Sequence, residues 1–203
     1  MILYDGGMAP NPRRVRIFLA EKGIDVPLKS IDMTALGHKG EEITRLNPLQ
    51  RLPVLVLDDG TVISESIAIC RYFEELHPQP ALMGTTPIER AIIEMWQRRM
   101  EFNLLSGVAN VFRHTHPAMK EWEVPQIAEF AEANRPRVIS TLRWLNDELD
   151  TREFIAGDEY SVADITAMIS IDFMKPARLT VPDDLSVLLK WYERVKSRPS
   201  ATA

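Results

Sequence analysis

The chain has 203 residues, of which 45% are hydrophobic and 26% charged, and 24 Lys and Arg against 29 Asp and Glu give a net charge of −5. This is a globular composition, and the acidic balance argues against nucleic acid as a partner, because phosphate binding draws on many cations. A single cysteine, Cys70, excludes an intrachain disulfide framework or a CxxC pair; no stretch nears the ~20 apolar residues of a membrane span and the start lacks a signal-peptide core, so the cytoplasm is the expected location and no membrane partner is expected.

Ile2-Leu3-Tyr4 reads as a short strand followed by the turn Asp5-Gly6-Gly7. Pro12 suits the first turn of a helix over 13–22, with Val15, Phe18 and Leu19 on one face and Gly23 as its C-terminal cap. A second strand is expected within 24–31, at an edge or interrupted because of Pro27. The loop Gly37-His38-Lys39-Gly40 leads to a short helix over 41–46, stopped by Asn47-Pro48. Strands over 54–57 and 61–64 flank Asp58-Asp59-Gly60, a hairpin signature. A helix from Ser66, with Ile69, Phe73 and Leu76 inward, ends before His77-Pro78. This order predicts an α/β unit over 1–77.

Residues 78–87 carry three prolines and no periodicity, as a linker does. The rest, 88–203, reads as all-helical. A long amphipathic helix spans 88–112, Pro125 opens another helical stretch, and Pro136 should kink or split it. Ser161 and Asp164 form a capping-box pattern before the apolar helix 165–173, and a last helix covers 185–195. There is no internal repeat.

Three places could carry chemistry. A proline at Pro53, at the head of an apolar strand, cannot join the sheet ladder; taken alone it marks a strand boundary, but it also suits a cis bond that exposes the backbone of Leu52. Glu65 and Ser66 stand where a strand gives way to a helix, so an anion can meet free N–H groups and a hydroxyl while an ammonium meets Glu65. Ordinary N-capping by Ser64 or Ser66 is the plainer reading of the same residues. His38, Lys39 and Arg51 could receive a second carboxylate, although for any one of them a solvated basic loop is the plainer reading. Together they suit a small acidic peptide with two carboxylates and one ammonium.

The segments RRVRIFLAEKGI, GHKGEEITRLNPLQRLPVLVLDDG, ISESIAI and FIAGDEYSVADI resemble those of cytosolic glutathione transferases, over nearly the whole chain. The resemblance implies a thioredoxin-like N-terminal domain over 1–77 that binds glutathione, an all-α domain over 88–203, and a homodimer. It implies that Leu52 and a cis Pro53 pair with the cysteinyl backbone, that Glu65 and Ser66 hold the γ-glutamyl end, and that His38, Lys39 and Arg51 face the glycine carboxylate. Asp164 matches a helix-capping aspartate with a folding role. Glutathione would be a consumed cosubstrate, with no resident cofactor or metal, conjugated to a small hydrophobic electrophile. Gln50 departs from the pattern, in which glycine is common.

The thiol-activating Tyr, Ser or Cys of the family is missing: Ala9 stands at the serine position, Tyr4 sits inside a strand, and Cys70 lies on the wrong helix. A thiol of pKa ~8.5 still has to be ionised. Asn11 with the first helix's N-terminus is the leading candidate. A water held by Ser106 with His114 or His116 is the second. Met8, Phe102, Leu105, Ala109 and Phe112 are expected to line the electrophile's site, or else to be core at helical spacing. Reduction of peroxides or disulfides with glutathione, or glutathione binding without turnover, are the alternative functions.

Overall fold

A computed structural model describes all residues, Met1–Ala203, and they form two compact units. One comprises Met1–Leu82 together with Pro199–Ala203, the other Met83–Arg198. The last five residues, expected with the helical half, thus pack in the first unit. They do so because Arg13 Nη2 donates to the Ala201 carbonyl at 2.8 Å and Ser200 Oγ to Glu21.

In the first unit, β1 (Ile2–Asp5), α1 (Pro10–Glu21), β2 (Leu28–Ser30), α2 (Glu41–Leu46), β3 (Val54–Val56), β4 (Val62–Ser64) and α3 (Ser66–Leu76) follow in order. The sheet runs β2-β1-β3-β4, with β1 and β2 parallel and the other pairs antiparallel. This is the thioredoxin-like arrangement. Tyr4, Leu52, Val54 and Ile43 form a core on one face. Strand alternation turns Leu3 and Leu55 to the other, where they are wholly buried, as are Val15, Phe18 and Ile69 of α1 and α3. Leu76, expected inward, is half-exposed in the last turn of α3.

Two local differences from the expected elements affect this unit. Helix α1 begins at Pro10 and not near Pro12; Gly23 lies just beyond its Lys22 cap with φ of +63° and donates to the Ala20 carbonyl. The start of the expected linker is pinned: Lys22 Nζ pairs with Glu74 at 2.7 Å and donates to the carbonyls of His77 and Pro80, while the Leu82 N–H donates to Glu74.

The second unit holds α4 (Pro87–Arg99), α5 (Ser106–Thr115), α6 (Ala128–Leu149), α7 (Val162–Met174) and α8 (Ser186–Lys196). Between α4 and α5 the chain stays helical through a wider π turn, Met100–Leu105. Pro136 lies inside α6 without splitting it; α6 buries Val138, Leu142, Leu145 and Leu149 at helical spacing and packs on α5. A Cβ at Gly107 would stand 2.9 Å from Val138 Cγ2, so a larger residue there would force Val138 to shift. Helix α7 is apolar on nearly every side and buried accordingly. Asp164 anchors it: its carboxylate accepts from the N–H of Ile155 and Ser161, the Ser161 hydroxyl and the Trp191 indole at 2.9–3.0 Å. No helix is long and apolar enough to cross a membrane.

Candidate functional site

The sheet register brings the candidate residues of the first unit together. Val54 pairs with Ser64, so Pro53 and Glu65, one residue beyond each, meet at the same end of β3 and β4. The Leu52–Pro53 bond is cis, and neither Leu52 N–H nor its carbonyl enters a backbone hydrogen bond in the loops around it. Asn47 shapes that loop. Its Nδ2 donates to the Arg51 carbonyl at 3.0 Å, and its Oδ1 accepts from Leu49 N–H at 3.2 Å. Gln50 occupies the left-handed region at φ +54°, which accounts for the advantage of glycine there, and its amide donates to Thr44 Oγ1 at 2.9 Å.

Glu65 also has a positive φ, +71°, and its carboxylate is exposed. A non-glycine residue held in that region is strained, and such strain persists where the surroundings enforce it. The bend ends β4 and starts α3 with no side-chain cap. The N–H groups of Ser66, Ile67 and Ala68 are therefore without acceptors, the first bond of the helix being Ile69 N–H to the Glu65 carbonyl. Free donors and the positive end of an 11-residue helix form an anion seat, with the Glu65 carboxylate beside it for a cation.

Sequence reasoning misses Arg14, although a basic residue four before Phe18 on a buried helix face is a visible signal. It is fully buried, and its Nη1 donates to Ser66 Oγ at 2.9 Å. This bond ties α1 to the start of α3. Gly6 ties α1 to the Leu52 loop: a Cβ there would lie 3.2 Å from Pro12 Cγ and 3.4 Å from Leu52 Cδ1. Asp5 and Arg16 brace the intervening turn, Asp5 accepting from Gly7 N–H at 2.8 Å and Arg16 donating to Asp5 and to the Gly7 carbonyl.

At the head of α1 the supply of donors is smaller than expected. Ala9 is the N-cap and has no capping side chain. Its N–H donates weakly to the Gly6 carbonyl at 3.4 Å, and Pro10 and Pro12 have none. Asn11 alone offers a backbone N–H there, together with an exposed side-chain amide that bonds to nothing in the chain. Tyr4 is committed elsewhere: its hydroxyl donates to Glu42 at 2.9 Å, which also receives Lys29, and this bond raises its pKa. Cys70 is fully buried, and burial pushes its thiol up to about 12.

The basic loop divides. The turn Gly37–Lys39 buries the His38 ring, while Lys39 and Arg51 stay exposed. Burial first, then the charges of Lys39 and Arg51, lowers the His38 pKa, so the ring is neutral at pH 7. It is a buried neighbour of the two cations and not a third surface charge.

In the second unit, Ser106 and His114 do not meet. Eight residues of helix separate them, about 12 Å of rise along the axis. Ser106 Oγ donates to the Glu101 carbonyl at 2.9 Å. His114 Nδ1 accepts the Ile127 N–H at 3.0 Å and His116 Nδ1 the Ala118 N–H at 3.2 Å, so both rings cap backbone. Glu123 Oε1 stands 3.7 Å from His114 Nε2, but no group of three His, Cys, Asp or Glu side chains that could hold a metal ion forms. Of the expected electrophile contacts, Leu105 is buried, Ala109 is half-buried, and Phe112 packs on His116 and Phe173, all by helical periodicity. Met8 and Phe102 are exposed.

Comparison with known proteins agrees across the chain. A family model for the glutathione S-transferase N-terminal domain matches residues 9–76, and one for the C-terminal domain matches residues 99–199. A curated relative from Saccharomyces cerevisiae, Glutathione S-transferase 2, is 37% identical over 98% of this chain and 87% of its own. The crystal structure of Gtt2 from Saccharomyces cerevisiae superposes with a TM-score of 0.94 at 37% identity, over 100% of this chain and 99% of that one. A glutathione S-transferase domain-containing protein from Marinobacter aquaeolei does so at 0.94 and 38%, over 98% and 99%.

Proposed function

The chain belongs to the glutathione S-transferase family, and we propose that its first unit binds glutathione and transfers the thiol to a small hydrophobic electrophile. The observation that supports this most is the uncapped start of α3 beside the strained, exposed Glu65. A γ-glutamyl head carries a carboxylate for the three free N–H groups and an ammonium for Glu65. The open backbone of Leu52 then suits the cysteinyl peptide, which would lie as an added strand does, and Lys39 and Arg51 suit the glycine carboxylate.

With glutathione so placed, its sulfur would come to the Asn11 amide and N–H. Two donors favour thiolate over thiol. The thiolate attacks an electrophilic carbon, a C–S bond forms, the leaving group departs with its electron pair, and the thiol proton goes to solvent. Exposed Met8 is the apolar side chain that the first unit offers to the electrophile. A homodimer is supported by the exposed apolar stripe Ile88, Ile92 and Met95 along α4.

The sparse donors at the head of α1 favour one second reading, glutathione binding without turnover. Calorimetric titration with glutathione, followed by assays with a halonitrobenzene and an organic hydroperoxide, distinguishes these functions. Binding with conjugation supports the transferase, binding with neither activity the second reading, and hydroperoxide turnover alone would replace both with a peroxidase. Absence of binding overturns all three.

A further inference from the structure

We infer that Arg14 is a positioning residue for the ligand's α-carboxylate, because it fixes the Ser66 hydroxyl as an outward donor; the inference rests on the glutathione reading. A guanidinium has donors only and stays protonated. When Arg14 Nη1 donates to Ser66 Oγ at 2.9 Å, the serine must act as acceptor in that bond. Its own proton donates to no group of the chain. A serine in a first helical turn would otherwise turn its oxygen to a neighbouring backbone N–H or donate to a nearby carbonyl. In this structure Ser66 Oγ takes neither option: its one bond in the chain is the one it accepts from Arg14, and the hydroxyl proton is left for a ligand.

The charge acts in the same direction. Arg14 is wholly buried and Ser66 only 4% exposed, so water screens this cation little. It lies against the start of α3, where three N–H groups already favour an anion. Arginine, hydroxyl and helix terminus therefore form one device that favours a carboxylate over a neutral substituent. Glu65 alongside makes the required head an α-amino acid, not a simple acid.

Arg14→Met removes the charge at similar length, and Arg14→Lys keeps a charge but loses the fork. Affinity is measured by calorimetry for glutathione and for 4-aminobutyryl-cysteinylglycine, which lacks only the α-carboxylate. Both variants should lose about tenfold to a hundredfold for glutathione, the range of a charge-assisted hydrogen bond, and less than about threefold for the analogue. In a Ser66→Ala background, Arg14→Lys should cost less than about threefold further, since the bond it breaks is already gone. Equal losses on both ligands, parental glutathione affinity, or an undiminished effect without Ser66 would overturn the inference. Should Arg14→Met fail to fold, the Lys variant and a glutathione-soaked crystal decide: Ser66 Oγ must lie within hydrogen-bond distance of the α-carboxylate. If the unmodified chain binds no glutathione, the family reading of the site falls and this inference with it; if it binds but the variants do not differ from it, this inference alone falls.

Discussion

Val54 and Ser64 face each other across the β3–β4 ladder, and this single pairing sets Pro53 beside Glu65 at one end of the sheet. Everything assigned to the glutathione end of the site depends on that register. A slip of one residue would turn the strand's side chains to the wrong faces and separate the two positions.

Glu65 should trade stability for binding. Its φ of +71° suits glycine, so Glu65→Gly should leave stability unchanged or raise it by up to about 1 kcal/mol. The same change should weaken glutathione by about tenfold or more through loss of the ammonium partner. Urea unfolding and calorimetry measure the two halves; a destabilised variant with parental affinity would contradict both.

Asn11 should set the acidity of the bound thiol. With Pro10 and Pro12 unable to donate, Asn11→Ala removes the side-chain donor and should raise that pKa by about one unit, equivalent to about 1.4 kcal/mol. Thiolate absorbance of the complex titrated against pH gives the value. Coincident curves for variant and parent would reject the role.

His38 gives the fold an acid-sensitive component. Its pKa in the folded state lies below the ordinary His value of about 6.5, so the unfolded chain takes up the proton first. The stability contribution is full above about 6.5 and is lost as pH falls from there through the folded-state pKa. The urea midpoint of the parent should decline across that window, and His38→Gln should decline less. Equal slopes would show that other groups carry the effect.

Asp164 should be the most costly single truncation outside the site. Burial raises its pKa, yet four donors converge on its two oxygens. Asp164→Ala leaves those donors buried without acceptors and should cost about 3–5 kcal/mol. Denaturant unfolding measures the loss; a cost under about 1 kcal/mol would mean that water or a rearrangement replaces the carboxylate.

The stripe on α4 predicts the assembly. Ile92→Glu with Met95→Glu should convert a dimer to a monomer on size-exclusion chromatography with light scattering, without loss of helicity. A dimer that survives both charges does not use this face.

The sequence by itself determined the kinds of element and their order, because hydrophobic period, proline and glycine act over a few residues. It also singled out Leu52-Pro53 and Glu65-Ser66, since a proline at a strand head and an acid at a strand–helix bend are local signals. Tertiary structure decided what those residues face. Arg14 meets Ser66 across 52 residues, and His38 turns inward while Lys39 and Arg51 stay out. Helix α1 starts at Pro10, leaving Asn11 the main donor at its head. Ser106 and His114 are kept apart by the helix that joins them. Hydrogen-bond partners distant in sequence depend on how the chain closes on itself, and no short window of residues contains that information.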